Sequence, residues 1–170
     1  MRGIFAAFII LVMHVFLVHA SSDAFSLRIS EFLPDPLGAD DDLSPRGEWV
    51  ELYNPTSSPI DARGLVLYDQ YLDNELFVSN TTAGSTVIPA GGYLVVYRTG
   101  DSDFALNNDG YEEVRLFNTS DNGTLIDLVS YSGSSEAMSW SNLGIWRKTI
   151  PTPGTGNIDK GNCFKRTGKI

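Results

Sequence analysis

The stretch Trp49–Asp61, WVELYNPTSSPID, can be read in two ways: as a cleft with carboxylates at Glu48 and Glu51, or as a strand running into its corner. Alternation settles it as a strand. Val50 and Leu52 fall on one face, while Trp49, Glu51 and Tyr53 fall on the other. Glu48 and Glu51 are three residues apart and face opposite sides of a sheet, so they cannot converge on one substrate atom as a catalytic pair must. Asn54-Pro55 ends the strand, because proline lacks the ladder donor, and Thr56 to Pro59 turn the chain toward Ile60. Glu51 is then expected on an outer face beside a cross-strand arginine, an exposed pair of ~0.2–1 kcal/mol.

The same period of two recurs on either side. Leu27–Leu33, Glu48–Tyr53, Gly64–Tyr68, Thr86–Ile88, Tyr93–Tyr97, Glu112–Phe117 and Leu125–Tyr131 read as strands bounded by Gly, Pro, Asn or Asp. No window of helical length carries an amphipathic stripe with caps. Short strands at this spacing predict an antiparallel sandwich or barrel. Leu94 and Val96 oppose Tyr93, Val95 and Tyr97; Val114 and Leu116 oppose Arg115 and Phe117; the aliphatic sets form the expected core. Trp49, Tyr53, Tyr93, Tyr97 and Phe117 lie opposite that core. They are either a stacking surface for sugars or a partner, or are covered by loops or by the segment holding Trp140 and Trp146. Glu31 conflicts with the pattern, since in a regular strand it shares a face with Leu27 and Ile29. A bulge, or an arginine partner such as Arg28, Arg98 or Arg115, would resolve it.

The ends of the chain differ from its body. Arg2 precedes the apolar run Ile4–Val18 of 15 residues, and small residues follow. This is the grammar of a signal peptide over residues 1–20, with cleavage expected at Ala20/Ser21. An uncleaved membrane anchor over residues 4–20 is the alternative. The remaining expected divisions are a linker over 21–26, a β domain over 27–157 and a basic tail over 158–170. Between Ser21 and Trp146, 20 Asp and Glu face 5 Arg and no Lys, a balance of −15; from Arg147 onward 6 Lys and Arg face one Asp, a balance of +5. An acidic body repels phosphate backbones, so no nucleic-acid partner is expected.

Two scarcities limit the chemistry. The only histidines, His14 and His19, lie in the signal segment, so the exported chain would have no His-based acid–base catalysis, triad or usual zinc set. The only cysteine, Cys163, has no internal disulfide partner and lies in the tail. Among polar clusters, Asp35, Asp40, Asp41 and Asp42 in PDPLGADDD are candidate calcium ligands, although their spacing is not that of an EF-hand. The bland reading is a solvated acidic insertion. The run Gly100–Gly110 lacks the closing glutamate of a calcium loop and reads as a turn. Asn80, Asn118 and Asn122 each open an N-x-[ST] triplet in a predicted turn and are candidate glycosylation sites.

Six segments taken in order resemble the lamin tail domain: IxEFLPDP (Ile29–Pro36), GEWVELYNPTSSPID, VIPAGGYLVVY (Val87–Tyr97), FALNNDGYEEVRLFN (Phe104–Asn118), LIDLVSY (Leu125–Tyr131) and PTPGTGN (Pro151–Asn157). The resemblance spans Leu27 to Asn157. It implies an all-β, immunoglobulin-like antiparallel β-sandwich, here preceded by a signal peptide, and a setting in secreted or surface-attached prokaryotic proteins. It supplies no shared catalytic residues, and Gly91-Gly92 matches a turn that needs positive φ. The family's coiled-coil rod has no heptad counterpart here. The expected role is a non-catalytic exported module for binding, adhesion or structure at the cell surface, with a protein or glycan partner and no cofactor. The alternatives are a small carboxylate-dependent hydrolase of extracellular glycans using Glu31 or the Asp35–Asp42 loop, and a structural subunit assembling through its C-terminal tail. A hydrolase needs two carboxyl groups ~5–10 Å apart across a cleft.

Overall fold

The computed structural model of the chain describes residues 23–120 and 123–159. The expected signal peptide, Asn122, Cys163 and the chain beyond residue 159 lie outside the described residues. After a 3₁₀ turn at Asp23–Ser26, the strands are β1 (Arg28–Leu33), β2 (Trp49–Tyr53), β3 (Ile60–Asp61), β4 (Val66–Tyr68) and β5 (Glu75–Phe77). One helical turn follows, α1 (Asn80–Ala83), and then β6 (Val87–Ile88), β7 (Tyr93–Tyr97), β8 (Tyr111–Phe117), β9 (Leu125–Ser132), β10 (Ser139–Asn142) and β11 (Trp146–Thr149).

A five-stranded sheet in the order β11-β10-β1-β2-β7 stacks on a four-stranded sheet in the order β5-β4-β8-β9, and β3 and β6 form a small separate pair. All pairings are antiparallel. This is the antiparallel sandwich that the alternation predicts, in the immunoglobulin-like form that the family resemblance implies. Ile29, Phe32, Val50, Leu52, Leu94 and Val96 from one sheet meet Leu67, Leu76, Val114, Leu116 and Val129 from the other in one buried cluster. Burial of such side chains stabilises a domain by ~1.5–3 kcal/mol each before the entropy of ordering the chain is subtracted. The turn at Gly91-Gly92 also forms as expected: Gly92 N–H donates to Pro89 O at 2.9 Å, and Gly91 takes a φ of 64°.

Trp140 and Trp146 act differently from the expectation. Instead of covering the outward aromatics they close the side of the core, with Trp146 5.4 Å from the Phe32 ring and Trp140 6.2 Å from Tyr131, while Phe32 and Tyr131 are 5.0 Å apart. Four strands escape hydropathy: β3, β5, β10 and β11 are short or polar. In β10 Trp140 is the residue turned to the core, and Ser139 and Ser141 share the face of Glu31, both fully buried.

The conflict at Glu31 is resolved by a bulge. Ile29 pairs with Leu52, and the register then slips so that Glu31 pairs with Glu51 and Phe32 with Val50. Ser30 is the extra residue. The slip returns Phe32 to the core and turns Glu31 outward, and the Ile29 N–H finds Asp127 Oδ2 at 2.8 Å. None of the three candidate arginines partners Glu31: Arg28 donates to Phe25 and Leu27 carbonyls, Arg98 to Glu48, and Arg115 to the Asp69 carbonyl.

Candidate functional site

Glu31, Glu48, Glu51 and Glu112 have no solvent exposure, and Asp69 is almost as enclosed. Charged residues are almost never fully buried without a partner, so these five carboxyl groups are where chemistry would be sought.

Glu31 and Glu51 sit side by side on the outer face of the five-stranded sheet, under Pro151–Asn157. Glu31 Oε1 accepts from Ser139 Oγ, from Ser141 Oγ at 2.9 Å and from Thr152 N at 3.0 Å, and Oε2 accepts from Thr152 Oγ1 at 2.9 Å. Glu51 Oε1 lies 2.7 Å from Ser30 Oγ, and its Oε2 accepts from Gly154 N at 2.7 Å. Glu51 is therefore not the exposed partner of an arginine that strand alternation implies. It does point outward, but the closing segment lies over it. That segment has its own geometry: Pro153 and Gly154 occupy the centre of a turn closed by Thr155 N to Thr152 O at 3.1 Å, with Gly154 at φ 78°. Proline then glycine at those positions is the pattern of a type II turn. Asn157 Nδ2 ties the end of the segment to Ser30 O at 2.7 Å.

Glu48 works at the other side of its strand, as the three-residue spacing requires. Arg98 Nη1 lies 3.0 Å from its Oε2, and Leu106 N donates to both of its oxygens at 3.2 and 3.3 Å. Glu112 accepts from Gln70 N and Glu113 N at 2.8 Å and from Asn107 N at 3.4 Å. Asp69 accepts from Tyr71 N, Asn74 Nδ2 and Ala105 N. Each carboxylate thus satisfies loop backbone amides that the sheet ladder leaves over. Among the described residues no buried side-chain polar atom lacks a hydrogen-bond partner.

Burial governs the titration of these groups. It pushes Glu48 up to about 8 against the pull of Arg98, and Glu51 up to about 7 against the hydrogen bonds from Ser30 and Gly154. Burial also raises Glu112. The folded chain therefore holds protons that the unfolded chain releases near pH 4.5. Stability from these groups is complete below that pH and declines as pH rises toward about 8, by up to ~1.4 kcal/mol per pH unit for each proton retained. Thermal melts should accordingly give a higher Tm at pH 5 than at pH 8, and Glu48→Gln should flatten the slope. A Tm that rises over this interval would contradict the assignment.

The candidate calcium residues are drawn in different directions. Asp35 Oδ2 lies 3.3 Å from Ser134 Oγ, Asp40 Oδ2 lies 3.3 Å from Asn108 Nδ2, and Asp42 pairs with Arg46 at 3.7 Å. Burial and the Asp35 charge raise Asp40. Among the described residues no three His, Cys, Asp or Glu side chains are grouped so as to hold a metal ion. Of the outward aromatics, Trp49 is buried, Tyr53 and Tyr93 stack at 4.9 Å, and Tyr97 and Phe117 are half-buried. Asn80 is exposed at the start of α1, and Asn118 is half-buried just after β8.

No curated protein and no solved structure gives a significant match to the chain. The family model for the lamin tail domain matches residues 20–133, which hold β1 to β9. The sandwich built by those strands and a match over more than half the sequence agree, and the chain belongs to the lamin tail domain family.

Proposed function

We propose that the chain is a non-catalytic, exported β-sandwich module that serves binding, adhesion or structure at the cell surface. The observation that carries this reading is the occupancy of the buried carboxylates. Glu31, Glu48, Glu51, Glu112 and Asp69 each accept hydrogen bonds from loop amides or enclosed hydroxyls, an arrangement suited to fixing loops. Glu31 and Glu51 are neighbours, as a hydrolase would require, but they are roofed by Thr152–Gly154 where a substrate would have to enter. The N-terminal apolar run supports export, and the family is a non-enzymatic immunoglobulin-like one.

The test has two arms. Labelled chain added back to its own cells is expected to bind the envelope saturably. A panel of chromogenic glycosides is expected to remain intact. Turnover that disappears in Glu31→Gln, with the fold retained by circular dichroism, would replace this reading with the hydrolase.

A further inference from the structure

The outer face of the four-stranded sheet carries an apolar row that the core does not use. Phe77 of β5 pairs with Val66 of β4, Val66 with Phe117 of β8, and Phe117 with Leu125 of β9. Phe77 and Leu125 remain 44% and 45% exposed, and Leu128 in the adjoining row 43%. Val66 in the middle of the row is fully buried and Phe117 half-buried, so the apolar surface left open lies at the two outer strands, and on the β9 side it is Leu125 beside Phe117.

Both N-x-[ST] triplets that lie wholly within the described residues follow strands of this sheet. β5 and β8 each pair antiparallel with β4, so they run in the same direction and end at the same edge of the sheet. Asn80 comes three residues after Phe77, and Asn118 directly after Phe117; Asn122, outside the described residues, belongs to the same connection between β8 and β9. The enclosed Asn54, which also has a threonine two residues on, has Pro55 between them and is barred from the motif.

The geometry at Asn118 suits substitution on nitrogen. Its Oδ1 accepts from Thr124 N at 2.7 Å, which fixes the amide, while its Nδ2 has no hydrogen-bond partner among the described residues. The connection it opens reaches over the outer face, where Tyr68 Oη donates to Ser120 O at 3.2 Å. Asn118 N also donates to Thr124 O at 3.2 Å, so a group on Nδ2 starts at the end of the β8–β9 pair, next in sequence to Phe117.

We propose that Asn80 and Asn118 are N-glycosylated and that the first sugars at Asn118 lie over the adjacent Phe117 and Leu125. In the reaction an Nδ2–H bond breaks and a bond from Nδ2 to the anomeric carbon of the sugar forms. The phosphate carrier of a lipid-linked oligosaccharide donor leaves, and the proton passes to a base of the host transferase. Oδ1 keeps its bond to Thr124. The apolar C–H faces of the sugar ring then meet the aromatic face, which shields it from water.

This rests on the export reading, and the experiment separates the two. The chain is recovered from the envelope or medium of its own cells, and its peptides are weighed by mass spectrometry. Peptides containing Asn80 and Asn118 are expected to carry an oligosaccharide mass with sugar fragment ions. Ser120→Ala removes the Asn118 triplet without touching its amide, and should abolish that adduct, leave the one at Asn80 and raise binding of a hydrophobic dye severalfold. Exported chain with both asparagines bare overturns the modification. Chain retained inside the cell and bare overturns export as well. An adduct whose loss leaves dye binding unchanged overturns the cover.

Discussion

Replacing Glu31 with alanine is expected to destabilise the chain by about 3 kcal/mol or more, a large share of the ~5–15 kcal/mol typical of a domain. The carboxylate accepts from Ser139, Ser141, the Thr152 amide and the Thr152 hydroxyl. Ser141 can fall back on Thr149 Oγ1 at 2.6 Å, but the buried Thr152 amide has no other acceptor among the described residues. A buried donor left without a partner costs ~1–3 kcal/mol, and the closing segment also loses one of its two carboxylate anchors. Glu31→Gln keeps a carbonyl acceptor and should lose about half as much. Urea unfolding should show a lower midpoint at unchanged slope, with faster amide exchange at Thr152 and Gly154 than elsewhere. A loss below 1 kcal/mol in the alanine variant would mean that Pro151–Asn157 is not held by this carboxylate.

That expectation shows what the sequence reveals and what it hides. The sandwich is legible because alternation in β7 and β8 reports one buried and one more open face, and alternation in β2 one aliphatic face, and the structure places Val50, Leu52, Leu94, Val96, Val114 and Leu116 in the core as read. The carboxylate network is less legible. Burial of Glu51 depends on Gly154, more than a hundred residues away, and no local pattern announces a cover that distant. The bulge at Ser30 is equally silent, since a register slip leaves the composition of β1 unchanged; only the misfit of Glu31 signals it. β10 escapes notice for a related reason. Ser139 and Ser141 face a carboxylate instead of aliphatic side chains, so the hydroxyls that make the strand fit make it read as a loop. The segment PTPGTGN is visible as a motif, and its task is not: it is a lid for two acids, and it lies beyond the span that the family model matches.

Removing the cation from the second buried site should have an effect of similar size, but one that depends on pH. In Arg98→Met, Glu48 keeps the Leu106 amide and loses its counter-charge. Breaking a buried pair by deleting one partner costs ~3–5 kcal/mol when the remaining group stays charged. Burial already lifts Glu48 to about 8 with Arg98 in place, so without it the carboxyl remains protonated further into the alkaline range. Near pH 6 Glu48 is then neutral with or without the arginine, and the penalty reduces to lost packing and the Arg98 Nε bond to Asp101 O at 2.9 Å. Near pH 9 wild type benefits from the ion pair while the variant must bury a lone charge or hold a proton against solvent. The destabilisation of Arg98→Met should therefore grow with pH between 6 and 9, by up to ~1.4 kcal/mol per unit over the interval where only the variant is protonated. Adding Glu48→Gln, which keeps an acceptor for Leu106 and removes the charge, should cancel that growth. Equal destabilisation at pH 6 and pH 9 would show that Arg98 stabilises the chain by packing and its carbonyl bond alone, and that the Glu48 charge takes no part.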